Sequence, residues 1–141
     1  MAAIDPLQAS VQIASSGLEA QSTRLRVVSE NLANANSTGR TPGAEPYRRK
    51  TTTFTAEMDR AAGVRVVKVK DVGVDSAPFR LDYEPSHPAA DENGYVKLPN
   101  VNMLIEMADM RETNRSYEAD LQVVKQARSM VSMTIDLLKG A

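Results

Sequence analysis

The sequence predicts a mainly α fold with a small β-rich insert, in which long N- and C-terminal coiled-coil helices run antiparallel and flank a central β region. Three observations predict it. Apolar residues recur every three or four positions at both ends of the chain. Six of the seven prolines fall between those ends, at positions 42, 46, 78, 85, 88 and 99. In that central stretch the pattern switches to the two-residue alternation of strands. The expected division is a helix in 1–39, an insert in 40–99 and a helix in 100–141, the two helices forming one core domain.

The first helix is expected over residues 5–35. Asp5 is a capping residue, Pro6 suits the first helical position, and Gln8 stands where a capping-box partner would. Ile4, Leu7, Val11, Ala14, Leu18, Leu25, Val28 and Leu32 form its stripe, broken only by Gln21. Asn34, Asn36, Ser37 and Gly39 stop it.

The insert follows from its prolines, which forbid long helices. Strands are expected at 48–54, 64–70, 79–83 and 95–98. Phe79, Leu81 and Tyr83 alternate with Arg80 and Asp82, as in a half-buried strand. Asn93-Gly94 signals a tight turn. Arg48, Arg49 and Lys50 read as the solvated edge of a strand, or as contacts from the insert to an acidic patch on an adjacent subunit.

The last helix is expected over 100–138, with a stripe of Met103, Met107, Met110, Asn114, Tyr117, Leu121, Val124, Arg128, Val131, Ile135 and Leu138. A 3.5-residue repeat held this long is the pattern of a coiled-coil seam. Such a helix is about 55–60 Å long, whereas a compact domain of this size has a radius of gyration of about 14–15 Å. Asn114 and Arg128 interrupt the seam and are candidates to set its register. The two stripes offer more apolar surface than one helical pair covers, which points to partners beyond the chain.

Composition narrows the function. A net charge of −1 and a pI near 5.8 make no electrostatic case for nucleic acid or an anionic membrane surface. The absence of cysteine removes thiolate metal sites, disulfides and Cys nucleophiles. No apolar run approaches the length that spans a bilayer, and Met1–Pro6 lacks the marks of a cleavable secretory signal. No cofactor is expected. Glu84, His87 and Asp91 are the one grouping with ligand-type side chains, but Pro85 and Pro88 deny them helical spacing and no second histidine exists. A wall-cleaving hydrolase built on that loop is one rival reading. A secreted coiled-coil adaptor or effector is the other.

Specific residues then match a family. The stretch from Ala14 to Gly39, through Ser16-Gly17-Leu18, Gln21, Arg24, Asn31-Leu32-Ala33-Asn34 and Thr38-Gly39, resembles the N-terminal signature of bacterial flagellar rod and hook proteins. The blocks Pro46-Tyr-Arg-Arg-Lys50, Pro85-Ser-His-Pro88, Gly94-Tyr-Val96, Pro99-Asn-Val-Asn102 and Arg115-Ser-Tyr-Glu-Ala119 are similar to the proximal rod subtype. Arg40-Thr41-Pro42 stands where hook and distal-rod relatives place an aromatic, which also fits that subtype. The resemblance implies a structural, non-enzymatic subunit of the periplasmic drive shaft. It implies export by the flagellar type III apparatus without cleavage. Its implied partners are other copies, the other proximal rod proteins, the membrane-proximal rod adaptor and the distal rod protein.

Overall fold

A computed structural model describes residues 5–140; Ile4, expected to open the first stripe, lies outside them. Helix α1 spans Pro6–Ala33 and helix α2 spans Met103–Lys139. Four strands lie between: β1 (Lys50–Asp59), β2 (Val64–Val74), β3 (Arg80–Tyr83) and β4 (Tyr95–Leu98). Two long helices thus flank a small strand region. No helix among the described residues is long and apolar enough to cross a membrane.

Local chemistry sets each boundary. Asp5 Oδ1 accepts the Leu7 N–H at 3.1 Å and the Asp5 carbonyl accepts from Ala9, so Asp5 caps α1 as expected. At the other end Asn34 turns its side-chain amide onto the Glu30 carbonyl at 2.8 Å. Helix α2 begins three residues later than the sequence predicts. Asn102 is its cap, accepting from the Leu104 N–H at 3.1 Å. Asn100 is held outside the helix because its amide reaches the carbonyls of Asp75 and Ala77, both at 3.1 Å.

The first two strands pair as one sheet and run further than expected, to Asp59 and Val74. β-Branched Thr55, Val72 and Val74 favour this extension, and Asp59 Oδ1 ties the connecting turn by accepting from Ala61 and Ala62. β3 and β4 form a second, antiparallel pair with Tyr83 opposite Tyr95. Their rings meet edge to face, 5.2 Å apart. The alternation predicted for β3 is present, but the strand is not half-buried: all four residues are exposed, because burial falls on its partner residue Val96. Phe79 stays outside β3, with the Arg48 guanidinium 4.2 Å over its ring. The Asn93-Gly94 turn forms within a longer loop, with Gly94 at φ +83° and its N–H donated to the Asp91 carbonyl.

The chain divides into two compact units that cut across the three segments read from the sequence. One comprises Met1–Arg24, Phe54–Lys70 and Glu112–Ala141; the other comprises Leu25–Thr53 and Asp71–Arg111. Each therefore draws on both helices and on the insert.

Candidate functional site

In the unit built on Leu25–Thr53 and Asp71–Arg111, the core is polar at its centre. Asn31 and Glu106 are almost fully buried, at 1% and 0% exposure, beside Val27, Val28, Val96 and Val101. Asn31 Nδ2 donates to Glu106 Oε2 at 3.0 Å and to the Lys50 carbonyl at 2.9 Å. Its Oδ1 accepts from the Lys50 N–H at 2.9 Å and the Tyr47 hydroxyl at 2.8 Å. All hydrogen-bonding roles of this one amide are thereby used. The other Glu106 oxygen accepts from Arg49 Nε.

Arg49 and Lys50 are consequently engaged within the chain, not spread along a solvated strand edge. Arg49 also reaches Asp75 at 3.5 Å, and Lys50 pairs with Glu30 at 2.7 Å. Burial works against the Arg49 charge, but its bonds to Glu106 and Asp75 outweigh that and hold its pKa above the usual range. The hydrogen bond from Lys50 holds the Glu30 carboxyl below its usual range, and Lys50 is raised in return. Burial pushes the Tyr47 hydroxyl up. Arg48, which lies over Phe79, also donates to the Ala77 carbonyl at 3.4 Å and pairs loosely with Glu45 at 3.8 Å.

In the other unit the helices meet antiparallel. Leu7 and Val11 line a groove of about 370 Å³ with Arg128 and Val131; Gly17 lies against Asp120, and Arg24 lies 3.8 Å from Glu112. Ser16 Oγ accepts the Val67 N–H at 3.1 Å, tying β2 to α1. Gln21 Oε1 is buried with no hydrogen-bond partner among the described residues. Burial raises the Asp120 carboxyl.

Most residues of the α1 stripe are covered at least in part. Val28 is buried, and Leu7, Val11, Leu18, Leu25 and Leu32 are half-buried. The α2 stripe is different. Val124 is buried and Met110 and Leu121 half-buried, while Met107, Tyr117, Val131, Ile135 and Leu138 are exposed. Asn114 and Arg128 are exposed as well. Besides Val124 of that stripe, the buried residues of α2 are Glu106, Thr113 and Ala127, at positions next to the stripe. Glu106, Thr113 and Ala127 escaped the sequence reading because the first two are polar and the third is small; their steps of seven and fourteen were the available signal.

The end of α2 carries a second uncovered row, Val123, Met130, Met133 and Leu137, at steps of seven, three and four. Leu137 and Leu138, adjacent on the last turn, are 77% and 76% exposed. A helix apolar on two faces is a core helix that lacks its surroundings.

The family-signature residues act locally: Ser16, Gly17, Arg24, Asn31 and Asn34 make the contacts given above, and Gly39 lies against Ala44. The 84–91 loop also uses its polar groups on itself. His87 Nδ1 accepts the Ala89 N–H at 3.0 Å, and Asp91 Oδ1 accepts from Asn93 and Tyr95 at 2.9 Å. Among the described residues no three His, Asp or Glu side chains converge as around a metal ion.

This geometry defines a class: a structural protein whose C-terminal helix presents unsatisfied apolar faces. Comparison with known proteins gives the class its family. Residues 12–40 match the model of the flagella basal body rod protein, and residues 92–137 match that of the flagellar basal body rod FlgEFG protein C-terminal region. The flagellar basal-body rod protein FlgC of Agrobacterium fabrum is 65% identical over 138 residues, covering 98% of this chain and 99% of the relative. FlgC of Escherichia coli O6:H1 is 45% identical over 89% of this chain and 92% of its own. FlgC of Borreliella burgdorferi is 37% identical, with coverages of 95% and 99%. The chain belongs to the FlgC family of flagellar basal-body rod proteins.

Proposed function

We propose that this chain is a structural subunit of the flagellar proximal rod and that it assembles through its terminal helices to transmit torque from the motor to the distal rod and hook. The observation that carries the reading is the bare apolar surface of α2. Twelve large apolar side chains of that helix are exposed in the single chain, from Met103 to Leu138. Burying one such side chain contributes roughly 1.5–3 kcal/mol, so neighbours that cover even half of them are held firmly.

The contacts read as follows. Helices α1 and α2 pair antiparallel as a coiled coil within each subunit. The uncovered stripe of α2, with Asn114 and Arg128 as its polar interruptions, packs against the helices of neighbouring copies. The second row toward the C-terminal end packs against a further layer. A heterologous contact of this kind that does not close on itself generates a helical tube. The insert sits outward. The subunit works in the periplasmic part of the basal body, is exported by the flagellar type III apparatus, and meets the other proximal rod proteins, the membrane-proximal adaptor and the distal rod protein. Its role is mechanical, with no catalytic step.

Electron microscopy of basal bodies from a strain carrying Val131→Asp tests this. The expected result is normal secretion of the subunit with no completed rod. Complete rods and normal motility in that strain exclude the seam as the assembly surface.

A further inference from the structure

Apolar side chains recur at seven-residue steps along α2, at Met110, Tyr117, Val124, Val131 and Leu138. Apolar contact alone therefore accepts several alignments of a helical pair, each slid by one heptad, or about 10 Å along the axis. Something else must select one. Asn114 and Arg128 are both exposed in the single chain.

Glu106 is the opposite case. Its carboxylate is wholly buried, a placement that is strongly unfavourable unless every oxygen is met. Both partners that meet it are fixed to the start of β1. Arg49 is held by its backbone N–H to Asn100 Oδ1 at 2.8 Å and by its guanidinium to Asp75. Asn31 grips the Lys50 backbone through both ends of its amide, at 2.9 Å each. Sliding α2 by one heptad in either direction carries Glu106 away from both.

We infer that Glu106 is a positioning residue that selects the register of α2 against α1, and that the root of β1 is the template it reads. The insert then has a second role, as the mark that tells two repetitive helices where to stop. This goes beyond assembly between copies, because it acts inside a single chain and is measurable there.

The test uses the full chain with Ser29→Cys and Ala108→Cys. Both sites are exposed and lie two residues from Asn31 and Glu106, and the chain has no native cysteine to compete for a spin label. Pulsed electron paramagnetic resonance on the labelled parent is expected to give one narrow distance. Adding Glu106→Leu is expected to give a second population, displaced by a heptad slide, while far-UV circular dichroism keeps its helical signal. A single parental distance in the Leu variant overturns the inference. Should the Leu variant lose its helical signal, Glu106→Gln is read the same way: two distances support the assignment and one parental distance overturns it.

Discussion

Asp120 sits on the α1 backbone at Gly17, and a Cβ added there would run into its carboxylate. The obstacle is the end of a flexible side chain, not backbone, so two small effects compete. Gly17→Ala displaces Asp120 but contributes about 1 kcal/mol of helix propensity. The single variant should melt within about 1 kcal/mol of the parent, and Gly17→Ala with Asp120→Ala should melt higher; thermal circular dichroism reads both. Asp120 also gives a pH dependence of definite sign. Burial raises its folded pKa, so its contribution to stability is present below the unfolded carboxylate range and is lost as pH rises through the folded pKa. Asp120→Asn should therefore gain on the parent near neutral pH and lose that advantage in acid. Glu30 has the reverse sign, since Lys50 lowers it, and its contribution is lost as pH falls through the folded pKa. Asn31→Ala is the severe residue-scale change. It strands buried groups on Glu106, Tyr47 and the Lys50 backbone, each costing about 1–3 kcal/mol, and the melting temperature should fall accordingly.

Helix α2 separates folding from assembly along its own length. Val124 is buried within the chain while Val131, two turns on, is exposed. Val124→Asp buries an unpaired charge and should cost several kcal/mol in the isolated chain. Val131→Asp should change the melt by no more than about 0.5 kcal/mol yet prevent rod formation. Leu121→Asp, half-buried, should do some of each. Sedimentation and chemical melts on the purified proteins separate the three. The β3–β4 pair behaves as an element without a core of its own: its outer residues Leu81, Tyr83 and Tyr95 are exposed, and a two-stranded sheet alone is marginal in water.

At the scale of the molecule, the chain carries more apolar surface than its two units cover. The dilute monomer should therefore show frayed helix ends, and its far-UV helical signal should rise on association with other rod proteins. Full, cooperatively melting helicity in the dilute monomer excludes this.

The sequence by itself determined the two helices, their spacing and caps at Asp5, the four strands, and a family signature long enough to read unaided. Each is a local matter of periodicity, propensity or turn chemistry. It did not determine which side of α2 faces inward, because Glu106 and Thr113, which the structure buries, are polar and lie beside the apolar stripe of Met107 and Tyr117. Only the tertiary structure decided that. A buried carboxylate is tolerable only where Arg49 and Asn31 arrive from distant parts of the chain, and no local pattern records that meeting.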